Sequence, residues 1–447
     1  MSIIDFLKKR FEKAPDSVAL VAQEEEITYK QLSHAIHEKV SVFGDAGIGG
    51  GHVVVLKGDY SLNSISSLLA LLDLNCIIVP VTPTSFGVLE DSIKDVASQY
   101  FIDCTTPTVR IDLYQPSSLV PELYQILRKR EAPGLVLFTS GSSGKPKAVV
   151  HDFSKLLKKF HTQRPALKTL NFLLFDHWGG LNTLLHGLSN HCPLVMPEER
   201  TPDAVCKLIE RYRIELLPAT PGFLNMLLIS KAHQRFNLSS LKLITYGAEP
   251  MSEMTLKALY KDFPGIDIRQ TYGMIELGVL RTKSKSPDSL WVKLGGEGYE
   301  IRIVDNKLEI KAAAAMLGYL NAESPFTEDG YLKTGDLVEQ DGEWIRILGR
   351  QSDLINVGGQ KVYPAEVESV ILSCDGVKDV TVYGESNPIL GKIVCATVVV
   401  EEGLDKSALR SALKKHCSNF LQPFMIPMKI KFVDEIPLST RFKRIRQ

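Results

Sequence analysis

The chain has no surplus of charge of either sign: lysine plus arginine and aspartate plus glutamate each number 52. So balanced a surface sets up no global field, which argues against nucleic acid or an anionic membrane as partner. Clustered cysteine is also missing. The seven cysteines are scattered without a CxxC pair or any metal-ligand spacing, and such an odd set reads as reduced core thiols in a cytoplasmic protein. Long apolar runs are scarce. The most apolar, Ser67–Val81, contains Asp73 and Asn75 and meets Pro80 near its end, so it is too short and too polar for an integral membrane segment. The opening MSIIDFLKKRFEKAPDS mixes apolar and charged residues and does not read as a signal peptide.

What remains is the composition of a globular enzyme: 447 residues, 44% apolar and 23% charged. That length allows two or three domains with sizeable cores. Residues 2–13 fit an amphipathic helix with Ile3, Ile4, Leu7 and Phe11 on one face, and Thr28 is a plausible N-cap for a second. A strand at Val53–Leu56, a helix over Leu62–Leu74 and a strand at Cys76–Val79 follow. That alternation predicts an α/β architecture with a mostly parallel sheet.

The centre of the chain is Leu135–Val150, LVLFTSGSSGKPKAVV. Leu135, Val136, Leu137 and Phe138 read as a short buried strand. It runs into Thr139, Ser140, Gly141, Ser142, Ser143 and Gly144, then Lys145 and Lys147 around Pro146. Glycines let successive backbone N–H groups turn toward one point, and hydroxyls and lysines add donors and positive charge, as a polyphosphate requires. The stretch is not a Walker A loop, because its glycines are too close and Pro146 stands where Ser or Thr belongs. A flexible Ser/Gly linker is the competing reading, but a linker does not normally follow a core strand directly. A helix beginning at Ser154 is expected to add its N-terminal dipole to a bound anion.

Further apolar strands end in glycine or acidic punctuation: FLLFDHWGG at Phe172–Gly180, IELLPATPG at Ile214–Gly222, LKLITYGAEP at Leu241–Pro250 and QTYGMIELG at Gln270–Gly278. Next come TGD at Thr334–Asp336, a turn at Asp341-Gly342 before a strand at Trp344–Leu348, GRQSDLIN from Gly349, VGGQKVYPAEVE at Val357–Glu368 and a basic tail, IPLSTRFKRIRQ. A carboxylate such as Asp336 can accept from two vicinal hydroxyls at once. Read by composition alone, the tail is a solvated basic run.

Taken in order, these motifs resemble the adenylate-forming superfamily, which includes AMP-forming acyl- and aryl-CoA synthetases, over nearly the whole chain from Thr28 to Lys443. The resemblance implies a large N-terminal α/β domain of layered sheets over residues 1–350 and a small mobile α+β domain over 351–447. It implies a ligase that uses ATP and Mg²⁺ to convert a small-molecule carboxylic acid, fatty or aryl, to acyl-AMP. The acyl group would then pass to coenzyme A, or to the phosphopantetheine of an acyl carrier protein; a non-catalytic binding protein is the further alternative.

Residue by residue, it assigns Thr139–Gly144, Lys145 and Lys147 to the ATP phosphates, and Gly247, Ala248 and Glu249 to the adenine edge. Tyr272 would stack on the base with Gly273 beside it, and Glu276 would ligate Mg²⁺. Asp336 and Arg350 would hold the ribose, while His177 and Trp178 would wall the acyl pocket. Asp176 keeps an ammonium-bearing acid open as substrate. Ser352 would be the interdomain pivot, Gly358, Gly359 and Lys361 would meet the thiol arm, and Lys443 would be the catalytic lysine at the α-phosphate. Three positions depart from the family pattern: Ile275 replaces a hydroxyl residue, Asn356 a lysine and Phe442 a glycine.

Overall fold

The computed structural model describes residues 3–114, 120–139, 146–401 and 403–436. Ser140–Lys145 and Lys443 therefore lie outside the described residues, and so does Phe442. Three seven-stranded sheets occupy the chain up to Arg350, and a five-stranded sheet follows.

In one sheet the strands Val53–Lys57, Ile77–Val81, Tyr100–Asp103 and Gly134–Thr139 run parallel. One edge is closed by the antiparallel strand Arg110–Leu113, the other by Lys147–Asp152 and then Gly318–Tyr319. Strands buried on both faces read as continuous apolar runs, and Ile77–Val81 is buried throughout. It continues across Pro80, because pairing with the neighbour Gly134–Thr139 stops at Ile78. The missing N–H of Pro80 thus leaves no rung open on that side.

The second sheet is parallel apart from the edge strand Glu25–Thr28. Thr28 caps the next helix as expected, in a reciprocal capping box with Gln31; such a cap contributes about 1 kcal/mol. The third sheet, built from residues 272–350, is antiparallel throughout, an element the strand–helix alternation did not foretell. The turn at Asp341-Gly342 joins its strands Leu332–Asp341 and Trp344–Arg350.

Two local expectations are corrected. Phe172–Asp176 is irregular rather than a strand, and the helix Trp178–Ser189 begins immediately after it. The helix near Ser154 spans only Phe153–Leu157, and the carboxylate of Asp152 accepts the Ser154 N–H at 3.1 Å. Its N-terminus is separated from the glycine loop by the whole strand Lys147–Asp152, so its dipole is spent on a side-chain cap.

The apolar cluster beyond Arg350 draws its buried residues only from Ile355 to Ile430. This unit is α+β, with the helices Pro364–Leu372 and Lys406–Phe420 against its sheet. It docks on the rest of the chain by packing Pro364–Leu372 against Trp344–Arg350 and the helix Glu253–Asp262. Asn225 Nδ2 also donates to Asp379 Oδ1 across that boundary at 3.1 Å. Among the described residues no helix is long and apolar enough to cross a membrane.

Candidate active site

Carboxyl ends of parallel strands are where open α/β sheets place ligands. Thr139 ends one such strand and pairs with Lys147 on the antiparallel return, so the two described residues that flank the Gly/Ser/Lys stretch stand side by side. Gly247, Ala248 and Glu249 follow the carboxyl end of Leu243–Tyr246. Gly247 is obligatory there, since a Cβ would stand 2.5 Å from Thr271 Oγ1 and 2.8 Å from Thr271 O. Ala248 takes a left-handed backbone, φ 70°. The two loops 247–249 and 271–273 are thereby held side by side, tied by Thr271 N donating to Tyr246 O at 2.7 Å. Glu249 also lines a cavity between the units with Pro221, Gly222 and Glu368.

Tyr272–Met274 and Gly278–Ser284 form a hairpin whose turn carries Ile275 and Glu276. Tyr272 is buried, and its hydroxyl donates to Asp336 Oδ2 at 2.6 Å. The other oxygen, Oδ1, lies 2.9 Å from Arg350 Nε. Burial, then the Asp336 carboxylate, push the Tyr272 phenol well above its ordinary pKa, so it stays a proton donor. Arg350 is half-exposed and also donates to Thr334 O at 3.2 Å. The acid of the TGD motif is thus held from both sides, by the Tyr272 hydroxyl and the Arg350 guanidinium.

Glu276 accepts a 2.8 Å hydrogen bond at Oε1 from Tyr319, and Lys147 Nζ stands 5.1 Å from the centre of the Tyr319 ring. Burial and the neighbouring Glu276 raise the Tyr319 pKa, which again keeps the phenol a donor. Tyr319 was not singled out from the sequence, although it stands in the GYLN stretch before TGD. The Glu276 carboxylate, with one oxygen oriented and the other directed by it, suits Mg²⁺, which binds through one or two carboxylates plus substrate phosphates. Among the described residues no group of three His, Cys, Asp or Glu forms a metal cage.

His151, also missed, lies beneath the same turn: its Nε2 stands 2.6 Å from Ile275 O, and the ring is 1% exposed. Burial drives its pKa down to about 4, so it is neutral near pH 7 and donates to that carbonyl. Ile275 itself is 8% exposed and belongs to the main apolar cluster with Leu277, Leu280 and Trp178.

His177 is the N-cap of the helix Trp178–Ser189, its Nδ1 accepting from Gly179 N at 3.1 Å. Trp178 is 2% exposed, edge-on to Phe153 and under Lys159. Asp176 is 3% exposed, and neither of its oxygens has a hydrogen-bond partner among the described residues. Ser352 lies in a short 3₁₀ turn, exposed, and bonds Asp353. Gly358, Gly359 and Lys361 are exposed on a hairpin, where Asn356 accepts the Gly359 N–H at 2.9 Å.

The AMP-binding enzyme family matches residues 7–332, and its C-terminal domain matches residues 366–443. Among curated proteins the chain is 26% identical over 470 residues to a 2-succinylbenzoate–CoA ligase of Listeria monocytogenes serotype 4b, covering 98% of this chain and 97% of the relative. It is 24% identical over 504 residues to an indoleacetate–CoA ligase of Aromatoleum aromaticum, covering 100% and 97%. Among solved structures it is similar to the anthranilate CoA ligase AuaEII in complex with anthranoyl-AMP, at TM-score 0.82, 20% identity and 99% and 95% coverage. ATP-bound MatB from Rhodopseudomonas palustris superposes at TM-score 0.79, 20% identity and 99% and 97% coverage.

Proposed function

The chain belongs to the AMP-binding enzyme family, and on that premise we propose that it is an AMP-forming acid–thiol ligase whose acid is aliphatic or aryl. The observation that carries the reading is the convergence of Glu276, Tyr272, Asp336 and Arg350, each in a motif of the expected order, through the bonds Tyr319–Glu276, Tyr272–Asp336 and Arg350–Asp336.

In the first step a carboxylate oxygen attacks the α-phosphorus of ATP, the bond to the β-phosphate oxygen breaks, and pyrophosphate leaves. The protein's share is positioning and charge stabilisation. Asp336, clamped by Tyr272 and Arg350, receives the ribose hydroxyls, and Lys147 with the Gly/Ser loop holds the phosphates. Glu276, oriented by Tyr319, would hold Mg²⁺, which would neutralise phosphate charge. Lys443 is assigned to the α-phosphate by the resemblance. In the second step a thiol sulfur attacks the acyl carbonyl and AMP leaves, with the hairpin of Gly358, Gly359 and Lys361 presented to the thiol arm. We place the division between the two working units near Arg350, with Ser352 as pivot and coenzyme A as acceptor.

One observation favours an ammonium-bearing acid as a second reading: the buried carboxylate of Asp176, which has no hydrogen-bond partner among the described residues and which a cation would satisfy.

The test is pyrophosphate release from MgATP over a panel of acids, amino acids included, followed by assay for the thioester. Release followed by thioester on coenzyme A is expected. Thioester only on a phosphopantetheinylated carrier protein moves the acceptor, and nucleotide binding without release from any acid overturns the ligase reading.

A further inference from the structure

Lys159 is a cation in the wrong surroundings for a structural role. Its Nζ lies over two aromatic faces, 5.2 Å from the Phe160 ring centre and 5.7 Å from that of Trp178. Among the described residues it makes no ion pair, and the titratable groups that bear on it are Arg164 and His186, whose pKa burial and Lys159 hold down. Aromatic faces compensate a desolvated ammonium only in part, and an unpaired charge taken out of water is costly.

The opposing surface is one face of the helix Trp178–Ser189. Trp178, Asn182 and His186 recur at four-residue spacing and so stand above one another. Two of them carry buried polar atoms with no hydrogen-bond partner among the described residues, Trp178 Nε1 and Asn182 Oδ1. The indole N–H is oriented toward the Glu276 hairpin, since a side-chain carbon at Gly278 would stand 3.4 Å from Nε1. An ammonium thus stands over the indole face, the indole N–H faces the end of the Glu276 hairpin, and the Asn182 amide follows one turn along the same helix, on the wall that the resemblance assigns to the acid.

We propose that Lys159, Trp178 and Asn182, with His186 behind them, form a subsite for an anionic substituent at the distal end of the acid, so that the substrate carries a second carboxylate or equivalent anion. This rests on the ligase reading and names its substrate class. The distal anion pairs with Lys159 and accepts from the Trp178 N–H, and the Asn182 amide turns to meet it. Burial, with Arg164, holds the Lys159 pKa down to about 8, and an anion bound there stabilises the ammonium.

The test uses the full-length protein and matched acid pairs that differ only in a distal carboxylate, by calorimetric binding and by pyrophosphate release. The diacid is expected to bind about 10- to 100-fold more tightly than its monoacid partner, the scale of a hydrogen-bonded charge. Lys159→Gln, which keeps the stem and removes the charge, should abolish that ratio, Lys159→Arg should retain it, and Lys159→Glu should reverse it toward an acid with a distal ammonium. Equal affinities within each pair, or a ratio unmoved in Lys159→Gln, overturn the subsite. Discrimination in binding with no pyrophosphate from any acid keeps the subsite and counts against the ligase reading alone.

Discussion

Tyr319 donates to Glu276 at 2.8 Å, and this pair fixes the direction of the carboxylate assigned to Mg²⁺. Tyr319→Phe removes one hydrogen bond to a charged acceptor, worth about 1.5–3 kcal/mol. Acyl-adenylate formation should slow by roughly 10- to 100-fold, with a higher Mg²⁺ requirement. Pyrophosphate release titrated with Mg²⁺ reads both, and an unaltered Mg²⁺ curve would dissociate Tyr319 from the metal.

Ile275 stands where the family pattern has a hydroxyl, so the sequence alone suggests that Ile275→Thr speeds adenylation. The structure gives that side chain an apolar setting, and a hydroxyl placed there without a partner costs about 1–3 kcal/mol. The variant should therefore unfold at lower urea than the parent. An unchanged midpoint would mean that the new hydroxyl has found a partner at the site.

His151 gives a pH signature. Its pKa is depressed to about 4 in the fold and returns to about 6.5 on unfolding. The unfolded chain therefore binds the extra proton between those values, and stability is full above about pH 6.5 and falls as pH drops toward 4. The loss integrates to about 3 kcal/mol. Urea midpoints between pH 4.5 and 7 should slope, and the slope should flatten in His151→Gln. Parallel curves for parent and variant would falsify the assignment.

The half-reactions should separate. Lys443→Ala is expected to lose adenylation by about 10²–10³-fold, as for one preorganised donor, while still transferring acyl groups from supplied acyl-AMP to thiol. In the described arrangement the hairpin of Gly358, Gly359 and Lys361 is exposed, so thiol transfer should need the small unit to turn. Quench-flow on each step is the measurement, and equal damage to both steps would sink the alternation.

Much of this arrangement was legible because its motifs are local. The strand before the Gly/Ser loop, the Thr28 cap and the Asp341-Gly342 turn each announce themselves within a few residues. The missed parts are those set by pairing at long range. Tyr319 sits on a two-residue strand with no periodicity to read. His151 stands in the strand Lys147–Asp152 with no motif around it, and its partner carbonyl is 124 residues away. The Ser154 helix was misjudged because Lys147–Asp152 folds back as a strand, a choice made by the facing strand Gly134–Thr139 rather than by its own residues. At Phe172–Asp176 an apolar run was taken for a strand, whereas tertiary packing and the His177 cap start a helix just after it.

The short strand Gly318–Tyr319 also bears on the order of folding. It joins the sheet by docking on Val149 and Val150, and Asn321 secures it by accepting from Ala148 N, 173 residues earlier in the chain. Closing so large a loop is slow, since its entropy is lost before the contacts reward it. A nascent chain can thus lay down the parallel core and the hairpin of Glu276 while that carboxylate still lacks its phenol. The site gains its final geometry only when residues 318–321 arrive, so completing the active site and closing the sheet edge are one event.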